Sequence, residues 1–149
     1  MKLFKFNDKI LNLQACTSIG VNKSRLRIVF NLSHSIEMFD PKLSKNIIVA
    51  DYKYWDFDNE IDFNAGLQKV SSLIKVNEFF ISSDKKHYFV NPDQLSYITF
   101  DDDNNRIIFN LSTSVTKKTT GTLTNDYVFW TFNTKDEYLD NIKHIEVRL

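Results

Sequence analysis

The chain writes one strand twice. The segment RIVFNLSHS at Arg27–Ser35 returns as RIIFNLSTS at Arg106–Ser114, an offset of 79. The same offset lays Asn12 on Asn91 and Ile19 on Ile98 without a gap. Past a loop four residues longer in the first copy the offset becomes 75, and DYKYWDF (Asp51–Phe57) falls on DYVFWTF (Asp126–Phe132). Further along, Phe63 matches Tyr138, Leu67 matches Ile142 and Val70 matches Ile145. Self-similarity of this length restricts a 149-residue chain to two copies of one supersecondary unit, about 1–76 and 77–149, within a single domain.

Each copy reads as four strands followed by a helix, so the expected fold is α+β: two tandem ββββα repeats, with two antiparallel sheets and helices packed between or against them. In the second copy, EFFIS (Glu78–Ser82) and HYFVN (His87–Asn91) read as early strands, and LSYITF and RIIFNLSTSV form a hairpin around the turn-forming DDDNN. Thr134 with Glu137 three residues on is a capping box that starts a helix through KDEYLDNIKHI, and Asn59 with Asp62 occupies the same place in the first copy. The first helix, about Ile61 to Val76, places Ile61, Leu67, Val70 and Ile74 near one face. Gly66 inside it costs about 1 kcal/mol relative to alanine.

Alternation assigns the strand faces, because successive side chains in a strand point to opposite sides. Ile28, Phe30 and Leu32, like Ile107, Phe109 and Leu111, are expected in the core. The opposite face carries Arg27, Val29, Asn31, Ser33 and Ser35, matched by Arg106, Ile108, Asn110, Ser112 and Ser114. The last strand is aromatic on both sides, with Tyr52 and Tyr54 (Tyr127 and Phe129) on one and Trp55 and Phe57 (Trp130 and Phe132) on the other. One set must pack under the helix, and the other must meet the second sheet, a partner chain or a ligand.

Charge and composition narrow the function classes. Nineteen basic and nineteen acidic residues cancel, so binding to nucleic acid or membrane has to come from a local patch. With one cysteine, Cys16, no internal disulfide forms, and with no signal-peptide pattern and no long apolar run the expectation is a cytoplasmic protein without a membrane partner. The two NLS sequons, at Asn31 and Asn110, lie within strands and read as coincidental. Usage of Lys, Asn and Ile suits an AT-rich genome, a bacterium or a phage-infected host.

Catalytic signals are missing from the sequence. His34, His87 and His144 are scattered, and none belongs to a zinc-type cluster. DDDNN departs from a calcium loop, with Arg106 at the sixth position and Ser112 at the twelfth. The three glycines, Gly20, Gly66 and Gly121, form no phosphate-cradling loop. The reading is a non-enzyme with no cofactor and no metal.

What remains is a sheet surface of aromatic, basic and amide side chains, a composition that binds single strands by stacking bases and neutralising phosphates. The candidate cations are Lys23, Arg25, Arg27, Lys53 and Arg106, with Lys42, Lys45, Lys117 and Lys118 in the loops between the last two strands. The candidate platforms are Tyr52, Tyr54, Trp55, Tyr127 and Trp130, flanked by the amides Asn31 and Asn110. The rival expectation is a structural module that oligomerises through its aromatic sheet face, and a third is a small-molecule sensor with a pocket between the halves.

The layout, carried by the R-I-[VI]-F-N-L-S-x-S and D-Y-x-[YF]-W-x-F pairs across nearly the whole chain, resembles the Whirly family of single-stranded DNA-binding proteins. It is also similar to the Pur-alpha repeat and to the homodimeric coactivator positive cofactor four. The resemblance implies two curved sheets about a pseudo-two-fold axis, helices between them, and single strands bound on exposed sheet faces or edges. Zero net charge and the acidic run Asp101–Asp103 depart from that pattern.

Overall fold

The computed structural model describes residues 3–76, 78–82 and 89–149. These residues form an α+β fold of two helices and three antiparallel sheets, in which strands predominate. A hairpin of β1 (Leu3–Phe6) and β2 (Lys9–Asn12) is followed by β3 (Cys16–Asn22), β4 (Arg27–Asp40), β5 (Lys45–Asp56) and α1 (Glu60–Val76). Then come β6 (Phe89–Val90), β7 (Leu95–Asp101), β8 (Arg106–Thr116), β9 (Leu123–Thr131) and α2 (Lys135–Glu146). Sheet order is β5-β4-β3-β6 in one layer and β7-β8-β9 in another, with β1-β2 apart.

The alternation in β4 and β8 decides where the cores lie. Ile28, Phe30 and Leu32 are buried beneath α1, and Ile107 and Phe109 are buried beneath α2. On the first sheet Phe4 and Phe6 of β1 add a second cover, with ring centroids 5.9 and 5.1 Å from Phe30 and 5.5 and 5.4 Å from Trp55. Phe63, Val70 and Ile74 of α1 meet this cluster, and Tyr138 and Ile145 of α2 meet the other. Both helices start as the caps require: the Glu137 N–H donates to Thr134 Oγ1 at 3.2 Å, and the Asp62 N–H donates to Asn59 Oδ1 at 2.9 Å.

Four expectations need correction. Ile61 is 81% exposed, because the buried stripe of α1 runs through Phe63 and Ile61 sits some 200° away from it. Gly66 is no mere weakness in α1, since a Cβ there would overlap the Phe57 ring, so that the ring or the helix would have to shift. Glu78–Ser82 makes only an isolated bridge, Phe80 to Val90, instead of a strand, and His87 and Tyr88 of the expected HYFVN strand lie outside the described residues. The expected two sheets are three. The short β6 joins β3, not β7, so Ser18 pairs with Val90 and Ile19 with Phe89.

That junction is stitched by one amide. Asn91 is buried, its N–H donates to Thr17 O at 2.9 Å, and its Nδ2 donates to Cys16 O at 2.9 Å and Gln14 O at 3.3 Å. Its carboxamide oxygen meanwhile accepts from the Asp93 N–H at 3.0 Å, as Asn12 accepts from Gln14. Removing a buried polar partner leaves the Cys16 carbonyl without its donor, which costs about 1–3 kcal/mol. Urea denaturation of Asn91→Ala is therefore expected to show a loss of about that size, larger than that of Asn12→Ala, whose side chain caps an exposed turn. Equal losses would show that the stitch contributes nothing of its own.

Candidate nucleic-acid interface

Residues directly opposite in an antiparallel pair share a face, so the ladders define the surface turned away from the helices. Arg27, Val29 and Asn31 of β4 stand opposite Asp56, Tyr54 and Tyr52 of β5. In the other sheet Arg106, Ile108 and Asn110 of β8 stand opposite Thr131, Phe129 and Tyr127 of β9. Tyr52 and Tyr54 lie with ring centroids 4.8 Å apart, and Tyr127 and Phe129 stack at 6.1 Å. Tyr97, opposite Asn110, extends the second aromatic surface.

Each surface carries an arginine laid over a ring. The Arg27 guanidinium carbon is 4.1 Å from the Tyr54 centroid, and that of Arg106 is 5.2 Å from Phe129. Each arginine also has a carboxylate, taken from opposite neighbours. Arg27 donates through Nε and Nη2 to Asp56 at 2.5 and 3.1 Å, whereas Arg106 meets Thr131 in that place and turns its Nη2 to Asp101 at 3.1 Å. The hydrogen bond from Arg27 holds the Asp56 carboxyl below its usual range and raises the arginine, and Asp101 is lowered first by Asn104 and then by Arg106. These pairs fix the guanidinium planes while cancelling much of their charge.

Other candidates sit elsewhere. Trp130 is 1% exposed in the second core, in edge-to-face contact with Phe109 at 4.6 Å, so its ring is closed to a stacking base. Trp55 packs among Phe4, Phe6 and Phe57 in the first core. Both tryptophans were expected as platforms, and both share their face with Phe57 or Phe132, which precede the helices by a few residues and must lie beneath them. Lys53 stands opposite Phe30, on the side away from Tyr54, and its Nζ lies 3.4 Å from Asp51. Asn31 Nδ2 donates to Ser18 Oγ at 3.1 Å, and Asn110 Nδ2 to Thr99 Oγ1 at 3.3 Å. Arg25 and Lys117 are exposed near the tips of the β3–β4 and β8–β9 hairpins. Phe129 and Tyr97 were not among the expected platforms, although the alternation that exposes Tyr127 exposes Phe129 with it.

A groove also lies between the halves, where the third expectation put a pocket without naming its lining. It has a volume of about 420 Å³ and runs between Thr17, Ser18 and Asn31 of the first sheet and Asp126, Tyr127 and Phe129 of β9. Asp126 Oδ1 accepts from the Tyr127 N–H at 2.8 Å, as Asp51 Oδ1 accepts from Tyr52 at 2.8 Å. There the two aspartates part. Asp51 Oδ2 faces His34 Nε2 at 2.8 Å and Lys53 Nζ at 3.4 Å, while Asp126 has no basic partner among the described residues. Burial works to raise both carboxyls; at Asp51 the Tyr52 N–H, His34 and Lys53 outweigh it, and at Asp126 it prevails.

No protein-family model, curated protein or solved structure matches the chain. The residues themselves therefore carry the assignment. Among the described residues no group of three His, Cys, Asp or Glu side chains could hold a metal ion, and no helix is long and apolar enough to cross a membrane.

Asp126 makes a signed prediction. A carboxyl whose folded-state pKa is raised above its unfolded value opposes folding wherever it is ionised, and that penalty fades as pH falls through the folded value towards the unfolded one. Asp126→Asn is expected to unfold at a higher urea concentration than the parent at pH 7, with the difference vanishing by about pH 4. A variant less stable at pH 7 would show that the carboxylate is satisfied within the fold.

Proposed function

We propose that the chain is a non-enzymatic module that binds single-stranded nucleic acid on the outer faces of its two larger sheets, as a tandem ββββα repeat with pseudo-two-fold symmetry. The observation that carries this reading is the arginine-over-ring arrangement, present at Arg27–Tyr54 and again at Arg106–Phe129 on exposed surfaces. Bases stack on such rings whatever their sequence, and the arginine locks the ring's orientation beforehand. Tyr52 and Tyr127 extend each platform, and Lys23, Arg25, Lys117 and Lys118, exposed at hairpin tips, add unpaired positive charge for phosphates.

The repeat is supported by register. The strands β3 and β7 begin and end 79 residues apart, at Cys16–Asn22 and Leu95–Asp101. Ladder irregularities fall between Cys16 and Ser18 and between Leu95 and Tyr97, and again between Asn31 and Ser35 and between Asn110 and Ser114. Leu26 and Asn105 both take left-handed turn positions, and Ser35 Oγ donates to the carbonyl of Ser114, its own counterpart, at 2.8 Å. Contact between equivalent residues is the arrangement a two-fold axis passing near them requires.

A second reading has its own observation. The long β4–β5 hairpin exposes Ile36, Met38 and Phe39, an apolar tip suited to burial against another subunit.

Fluorescence anisotropy with labelled oligo-dT and a duplex of equal length tests the nucleic-acid reading at two salt concentrations. Single strands are expected to bind more tightly, with affinity falling as salt rises because phosphate contacts release counterions. Tyr54→Ala and Tyr127→Ala should each weaken binding by about 1–3 kcal/mol, while Trp130→Phe leaves it unchanged. Absence of binding at micromolar oligonucleotide in low salt ends the proposal.

A further inference from the structure

The groove beside β9 is a place where the chain leaves one of its own solutions incomplete. At Asp51, His34 Nε2 and the Lys53 ammonium meet the carboxylate from within the fold. The positions equivalent to these two are Thr113 and Val128, and neither carries charge. Thr113 instead donates its hydroxyl to the Ser33 carbonyl at 3.2 Å. Size differs as well as charge. Where the second half has Tyr97, the first has Ser18, and the small side chain leaves space in front of Asp126. A half-buried carboxylate with a free oxygen in a groove of about 420 Å³ repels phosphate and selects a group that brings positive charge and hydrogen-bond donors.

We propose that this groove receives an arginine side chain from a protein partner, bound to the Asp126 carboxylate and laid against Tyr127. The chain pairs the same three kinds of group on one sheet face, where the Arg27 guanidinium donates two hydrogen bonds to Asp56 while lying over Tyr54; Asp126 and Tyr127 are adjacent and alternate across β9, and both line the groove. Tyr127 is 55% exposed at the groove, and its ring is open to the same contact. Arginine fits better than lysine because its planar fork meets both carboxylate oxygens and stacks on a ring, whereas an ammonium does only the first. Asn31, on the opposite wall, is held by the bond from its Nδ2 to the buried Ser18 hydroxyl, which leaves its side-chain oxygen to accept from a remaining guanidinium N–H. The inference concerns a partner distinct from nucleic acid: Tyr127 serves both readings, so the two ligands would compete there, but the contact with Asp126 belongs to the arginine alone.

The test uses the full chain labelled with ¹⁵N and two probes, N-acetyl-arginine amide and its neutral isostere N-acetyl-citrulline amide, followed by amide chemical shifts. The arginine probe is expected to shift the Ser18, Asn31, Asp126 and Tyr127 amides saturably, and citrulline to bind about tenfold more weakly, since it lacks the charge that strengthens the hydrogen bonds. Asp126→Asn should abolish the difference between the probes. Val128→Lys, which restores an amine where Lys53 stands in the other half, should block the arginine probe while leaving the Asp126 carboxylate in place. Equal binding of the two probes, no shift at these amides, or undiminished arginine binding in Asp126→Asn overturns the proposal. Shifts of the same amides by oligo-dT that depend on Asp126 would also overturn it, giving the groove to nucleic acid.

Discussion

The structure depends on two apolar stripes of period two, Ile28–Phe30–Leu32 in β4 and Ile107–Phe109–Leu111 in β8. Each stripe sits at the centre of its sheet, so its face determines the face of every neighbour through direct cross-strand pairing. A one-residue slip would turn Phe30 and Phe109 to water and bring Arg27 and Arg106 beneath a helix. Burial of the rings and exclusion of the guanidinium groups thus favour the same register. The aromatic strands inherit their orientation: Trp55 and Trp130 go inward, and Tyr54 and Phe129 go out to meet the arginines.

The electrostatics follow from this arrangement. Both arginines lie at the strand end nearest a polar turn, where an aspartate is always close, yet the two halves draw it from different strands, Asp56 of β5 and Asp101 of β7. The pairings hold the guanidinium groups over their rings while offsetting much of their charge. Among the described residues, Asp126 in the groove has no basic partner.

Much of the frame was legible in the sequence because it rests on local chemistry. The capping residues Asn59 and Thr134, the polar turn before Arg106, and the buried faces of β4 and β8 all follow from nearest neighbours and alternation. The partner of β6 was not legible. A strand of two residues carries no periodicity, and its pairing with β3 is decided by Asn91, whose three bonds reach residues more than seventy positions away. The tryptophans were misplaced for a related reason, since a strand aromatic on both sides gives no contrast from which to read the buried one. A pocket between the halves could be expected, but its lining could not, because it arises from differences between them, Ser18 against Tyr97 and Val128 against Lys53, where their similarity drew attention.

The placement of β6 bears on how the chain closes its first sheet. Its two residues come after α1, yet they close the edge of a sheet assembled from residues before α1. A polypeptide ending after α1 would present β3 as an open edge and would lack the amide that holds the Cys16 carbonyl. The first sheet is thus finished only when the chain returns to it from beyond α1, which ties the two ends of the polypeptide into one cooperative unit.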